Sequence, residues 1–183
     1  MRYRASTVLL MALSITSTAF PQWREDGKVV PDRPWAKSAG DFGAKLMLTD
    51  KPDELFAAWE KKGPAVLMSE TESTKRGVPI VAVVFFTGCT ANKRGMCEAT
   101  VRFTAYTPDG KAWGKPQEGE LWVNKPPPPK DQIQLSIGNM GLVIDPDDPL
   151  GVYRVQAEIV DKIGDKKMTL ERTFKAMEAE PRQ

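Results

Sequence analysis

The sequence predicts an all-β protein, an antiparallel sandwich of about seven to nine strands with one short helix near residues 51–61. Three observations carry this. Apolar residues recur with a period of two in many short stretches. Proline, glycine, asparagine and aspartate separate those stretches. Helical periodicity occurs once, so the regular helix–strand alternation of a parallel α/β sheet is missing.

The chain of 183 residues opens with Arg2 and Arg4, an apolar run from Val8 to Ile15, and the small residues Ser17, Thr18 and Ala19. A basic start, a short greasy centre and a small-x-small end predict a signal peptide over residues 1–19. That run is too short to span a bilayer as a permanent helix. Residues 20–40, with Trp23, Pro31, Pro34 and Trp35, show neither period and read as an extended N-terminal arm. Its tryptophans either pack on the domain or engage a partner.

Residues 41–177 read as one β-sandwich domain, followed by a charged tail over 178–183. Ala44 to Thr49 alternates weakly and predicts a first strand. The helix follows: Thr49 or Asp50 is placed to cap it and Pro52 fits its first turn. Leu55, Phe56 and Trp59 share one face, Gly63-Pro64 stops it, and its place is across an edge or end of a sheet. Ala65 to Thr71 is a modest strand. Val78 to Thr87 is nearly all apolar and β-branched, which predicts a central strand covered on both faces, with Pro79 at its start. Glu98 to Thr107 alternates with Val101, Phe103 and Ala105 inward, and Thr107-Pro108-Asp109-Gly110 is a turn. Glu120 to Val123 is a short strand.

Pro126 to Pro129 reads as a stiff crossover between two sheets, or as a ligand for an aromatic groove. Gln132 to Ile137 places Ile133, Leu135 and Ile137 on one face, and Met140 to Ile144 follows. Val152 to Val160 alternates most cleanly, with Tyr153, Val155, Ala157 and Ile159 inward. Residues 162–165 turn the chain into Lys167 to Ala176, with Met168, Leu170 and Phe174 inward.

Composition narrows the chemistry. Loss of residues 1–19 would leave 164 residues with 24 basic and 24 acidic side chains. Such a balance supplies no long-range field for nucleic acid or anionic lipid. There is no histidine, so serine triads and cysteine–histidine dyads lack their usual base and zinc its commonest nitrogen ligand. No catalytic residue, metal site or cofactor is expected. The acidic stretch Asp145-Pro146-Asp147-Asp148 lacks the spacing of a calcium loop and reads as a solvated turn. Stable membrane insertion after leader removal is not expected either: the apolar run at 78–86 is too short to span, and the strands lack the regular lipid-facing stripe of a small barrel.

Cys89 and Cys97 flank seven residues between two strong strands, and in an oxidising compartment they should form a disulfide. The staple either presents Lys93 and Arg94 to a partner or only closes a hairpin with a solvated basic tip. Trp113 and Trp122 flank the Gly/Pro-rich segment 114–119; they are candidates for an aromatic binding patch or for burial.

The stretch Asp148-Pro149-Leu150-Gly151-Val152-Tyr153 resembles the start of a late strand in immunoglobulin-like and fibronectin-type sandwiches. There a tyrosine hydroxyl bonds to backbone just upstream, the tyrosine corner. The resemblance implies that architecture and that role for Tyr153; the alternative is a simply buried aromatic. Val155 stands where antibody domains carry a cysteine. The whole pattern, from leader to closing hairpin, resembles uncharacterised secreted or periplasmic proteins of Gram-negative bacteria, a resemblance that implies no activity.

The expected function is therefore a non-catalytic periplasmic or secreted binding or accessory module. Its contacts are Lys93, Arg94, Trp113 and Trp122, and its partner is a protein or glycan of the cell envelope, not nucleic acid. The alternatives are a glycan-active enzyme using carboxylates such as Glu70/Glu72 or Glu118/Glu120, and a secreted protease inhibitor using the 89–97 loop.

Overall fold

The structure is a computed structural model that describes residues 24–25, 28–29, 31–61, 69–129 and 132–179. The expected signal peptide, Trp23, most of the strand expected at 65–71 and the end of the tail lie outside them. In chain order the elements are β1 (Arg24–Glu25), β2 (Lys28–Val29), β3 (Ala36–Ala39), β4 (Phe42–Thr49), α1 (Pro52–Glu60), β5 (Ser73–Lys75) and β6 (Ile80–Thr87). Then come β7 (Cys97–Tyr106), β8 (Ala112–Lys125), β9 (Gln134–Leu135), β10 (Met140–Leu142), β11 (Gly151–Asp161) and β12 (Lys166–Met177). The described residues are mostly β, in twelve strands with one helix.

Two five-stranded sheets carry the fold, and β1–β2 form a separate small ladder. The first sheet runs β10-β6-β4-β3, with β9 also paired to β6. The second runs β5-β12-β11-β7-β8, and one of the two curls as a half-barrel. Every pairing is antiparallel except β5 with β12. The even-numbered positions of β4 and β6 (Phe42, Ala44, Leu46, Leu48; Ile80, Ala82, Val84, Phe86) face the odd-numbered positions of β7 and β11 (Val101, Phe103, Ala105; Tyr153, Val155, Ala157, Ile159) across one core. A strand's period of two sends its whole apolar set to one side, so the registers follow from the patterning. Met168, Leu170 and Phe174 of β12 complete this core.

The outer face of the first sheet is covered as well, which is why β6 reads as a continuous apolar run. Met47, Val83, Phe85 and Leu135 pack there under Leu55 of α1, with Trp59 tilted against Phe85 at 5.5 Å. The helix thus lies on a sheet face, and the expectation of an edge or end is corrected: three apolar residues on one helical stripe need a surface, and an edge offers only backbone. Lys51 occupies its N-cap without a side-chain bond to the helix, while Thr49 accepts the Lys51 N–H at 3.1 Å.

Other expectations shift too. β3 falls inside the stretch read as an arm and pairs with β4 over four residues, so the sheet begins before residue 41. β8 is far longer than 120–123. Its partner β7 shifts register three times along it, and Gly114 takes φ +71°; an edge strand tolerates Pro116 because one side of its ladder is empty. β9 is only two residues, and Ile133 and Ile137 are exposed while Leu135 is buried. Residues 126–129 do cross from the second sheet to the first.

Both open sides between the sheets are stitched by backbone. On one side the Gly138 N–H donates to the Glu120 carbonyl at 2.7 Å. A Cβ on Gly119 would sit 3.0 Å from the Gly138 Cα, so two glycines permit that approach. On the other side Pro34, just before β3, accepts from the Glu171 N–H of β12 at 2.7 Å.

Tyr153 is fully buried, stacked on Phe174 at 5.3 Å, and its hydroxyl donates to the Pro149 carbonyl at 2.7 Å. Burial, aided by the Asp148 charge, pushes its phenol above the ordinary range, so the group stays a donor. Tyr153→Phe removes this bond and strands a carbonyl. We expect a loss of about 1–2 kcal/mol in a denaturant melt; an unchanged midpoint and slope would show that the hydroxyl contributes nothing.

Candidate binding surfaces

The 88–97 loop joins β6 to β7 and is closed by a Cys89–Cys97 disulfide, with both sulfurs buried and Cα atoms 6.0 Å apart. Inside it a second set of bonds folds the tip. The Asn92 side-chain oxygen accepts from the Arg94 N–H at 2.9 Å and the Met96 N–H at 3.2 Å. Asn92 and Gly95 close a turn at 2.9 Å, and the Asn92 N–H reaches Met96 at the same length. Gly95 at φ +78° makes the reversal cheap. Lys93 and Arg94 stand exposed on this turn, and neither side chain has an ion-pair partner among the described residues.

The loop is also tied down from below. Asp161 ends β11 and is fully buried. Its carboxylate accepts the Thr90 N–H at 2.9 Å on one oxygen, and the Ile163 and Gly164 N–H groups, both at 3.2 Å, on the other. Three backbone donors offset the cost of burying this charge. One residue therefore pins the stapled loop and the β11–β12 turn together, and nothing in the period-two reading marked it. At the same end Lys162 pairs with Glu98 at 3.0 Å, Lys166 pairs with Asp41, and Lys125 lies over the Trp122 ring at 4.5 Å.

Of the two fates open to Trp113 and Trp122, packing accounts for most of each ring. Both rings are partly buried against the core. Trp122 meets Phe86 at 5.6 Å and donates to the Pro126 carbonyl at 2.8 Å. Trp113 meets Tyr153 at 4.9 Å and donates to Asp148 at 3.1 Å. They pair with opposite ends of β7, opposite Ala99 and Ala105, so Trp122 sits towards the stapled loop and Trp113 towards the tyrosine corner. Large apolar rings on a half-covered strand gain more from packing than from display.

The acidic stretch is knitted into the fold: Asp148 accepts from the Asp145 N–H at 2.9 Å as well as from Trp113. Among the described residues no cluster of three or more candidate metal ligands occurs. Glu118 pairs with Arg102 at 3.8 Å, and Glu70 and Glu72 both face Arg172.

That arginine marks a feature the sequence reading missed. Arg172 occupies the inward phase of β12, in line with Met168, Leu170 and Phe174. It bonds Glu70 at 2.6 Å, and Glu70 also bonds Lys45 at 2.6 Å. Its guanidinium lies over the Trp35 ring at 4.7 Å. Beside it is an open groove of about 710 Å³ between β12 and the segments around Trp35 and Glu70. A charge interrupting an apolar stripe was the available signal.

No family model matches this chain, and no curated protein matches it. Two solved structures show distant likenesses. One is a family 123 glycoside hydrolase from Clostridium perfringens, described for glycolipid glycan hydrolysis: TM-score 0.43, 11% identity, 75% of this chain and 27% of that one. This chain thus matches about a quarter of that protein's length. Another is a Niemann-Pick type C2 protein from the Japanese carpenter ant: TM-score 0.37, 13% identity, 73% of this chain and 89% of that one. At such similarity neither bears on what this chain does. The named resemblance to secreted bacterial proteins gains no support from these matches.

Reduction of the staple should cost roughly 2.5 kcal/mol, the loop-closure value for a separation of eight residues. Trypsin should cut after Lys93 or Arg94 slowly in oxidised protein and rapidly after reduction, read by mass spectrometry; equal rates would show that the disulfide does not hold the tip. Asp161→Asn turns an amide N–H₂ towards at least one backbone donor, and about 2 kcal/mol should be lost in a thermal or denaturant melt.

Proposed function

We propose that this protein is a non-catalytic binding module that acts outside the cytoplasm and recognises an envelope partner through the stapled loop. The supporting observation is the double constraint on residues 89–97, the disulfide outside and the Asn92 and Asp161 acceptors within. A loop that only connects two strands needs neither. The backbone beneath the two cations is already fixed and loses little further conformational entropy on docking, so rigidity here favours recognition. A buried disulfide also suits an exported chain, in line with the leader-like first 19 residues.

The tip is a closed turn. A protease binds its substrate strand extended, so the Asn92–Met96 bonds support surface docking over insertion as an inhibitor. The carboxylates support binding over glycan hydrolysis: Glu70 is engaged by both Lys45 and Arg172 at 2.6 Å, so its oxygens are committed within the fold. The finer architectural reading also belongs here. The second sheet places β5 parallel to β12, then β11, β7 and β8, while the first places β4, β6 and β10 side by side. That order, together with the Tyr153–Pro149 bond, supports an immunoglobulin-like sandwich with the staple at one loop end.

The test is affinity capture from envelope extract with the oxidised chain as bait, beside Lys93→Glu/Arg94→Glu and reduced baits. A partner held by the first and lost at least tenfold from both others supports the reading. Equal capture by all three would remove the loop from recognition.

A further inference from the structure

We propose that the groove between β12 and the Trp35 segment is an anion site for a carboxylate-bearing small ligand, with Arg172 as its anchor. This site is separate from the stapled loop and does not depend on it. Three observations carry the assignment.

First, the lining is positive. Arg33, Lys45, Arg154, Arg172 and Lys175 face three carboxylates, Glu70, Glu72 and Glu171. Glu171 is taken by Arg154 at 2.6 Å and by Gln156 at 2.8 Å. Glu70 is shared between Lys45 and Arg172, so one negative charge faces two positive ones. Glu72 reaches Arg172 only at 3.9 Å, and its side chain is 85% exposed. At high dielectric such a contact is worth little. Arg33 and Lys175 have no carboxylate partner among the described residues.

Second, the anchor is preorganised. Arg172 is only 12% exposed, and its plane is held against Trp35. Both acids meet the same nitrogen, Nη2. The other nitrogens of the fork, Nη1 and Nε, have no partner among the described residues, and the side chain lines the groove. A carboxylate can take the free Nη1 N–H, or displace the Glu70 oxygen from Nη2 and be held by two parallel N–H groups, which a lysine ammonium cannot offer.

Third, the size fits. A cleft of about 710 Å³ suits one or two sugar rings or a few residues of peptide. The carboxylate could belong to a sugar acid or to a peptide terminus, and these sources are separable by experiment.

Two acids, digalacturonate and tetra-alanine with a free terminus, would be titrated into the intact chain. Cellobiose and tetra-alanine amide are their neutral counterparts, and inorganic sulfate is the control for indiscriminate anion binding. Calorimetry gives affinity, and nitrogen-15 NMR follows the Trp35 indole and the Thr173 amide. At least one acid should bind ten times more tightly than its neutral counterpart and than sulfate, shifting Trp35 and Thr173. Which acid binds identifies the source.

Arg172→Lys keeps the charge, loses the fork, and should weaken binding tenfold or more. Should that variant unfold, Arg33→Gln/Lys175→Gln, both at exposed positions, should still weaken it about threefold to tenfold. Absence of binding by both acids at 10 mM overturns the proposal. So does equal affinity for the neutral compounds or sulfate, or shifts confined to other surfaces. Unchanged affinity in a folded Arg172→Lys, or in the double variant, does so as well.

Discussion

The shared core of the two sheets depends on closing the two gaps along their sides. Apolar stripes from β4, β6, β7, β11 and β12 exclude water only if the sheets stay in register at about the width of two side chains. Backbone bonds set that width: Gly138 to Glu120 on one side, Glu171 to Pro34 on the other. The Gly119–Gly138 approach shows how tight the first is. The second is also joined by charge, where Lys45 and Arg172 share Glu70 and Arg172 lies over Trp35. The groove and the seam therefore share one origin.

Charged groups near the interior are used in two ways. Asp161 and Asp148 act as acceptors for local N–H groups and hold turns, so their charge is spent within the fold. Arg172 is stabilised by a ring and by acids on one nitrogen, which leaves hydrogen-bonding capacity in reserve. Lys93 and Arg94 are the opposite case: they are solvated, and rigidity comes from the backbone beneath them. Both proposed surfaces rest on that division between charge already paired and charge still available.

Much of the fold was legible because burial obeys a period of two. The inward sets of β7, β11 and β12 can be read off 101–105, 153–159 and 168–174, and the continuous apolar run 80–86 correctly signals cover on both faces. The cysteine spacing pointed to the bridge, and the Asp148–Tyr153 stretch to the hydroxyl bond. Where pattern and geometry parted, the cause was local. β8 keeps its ladder through glycine, proline and register shifts, features that ordinarily end a strand. Ile133 and Ile137 share a parity with Leu135 but lie outside a strand of only two residues, so parity no longer implies a common face.

The candidate surfaces divide in the same way. Lys93 and Arg94 could be placed on an exposed tip from spacing alone, because a short loop between two strands has nowhere else to go. The sequence by itself also determined the strand content, the inward stripes, the single helix and the pairing of two cysteines. Only the tertiary structure decided that α1 covers a sheet face, that both tryptophans of β8 pack inward, and that Asp161 holds the stapled loop. It alone brought Trp35, Lys45, Glu70 and Arg172 into one groove. Arg172 lies more than a hundred residues along the chain from the other three, and contacts between sheet edges depend on twist and on the approach of backbones, which side-chain periodicity does not encode.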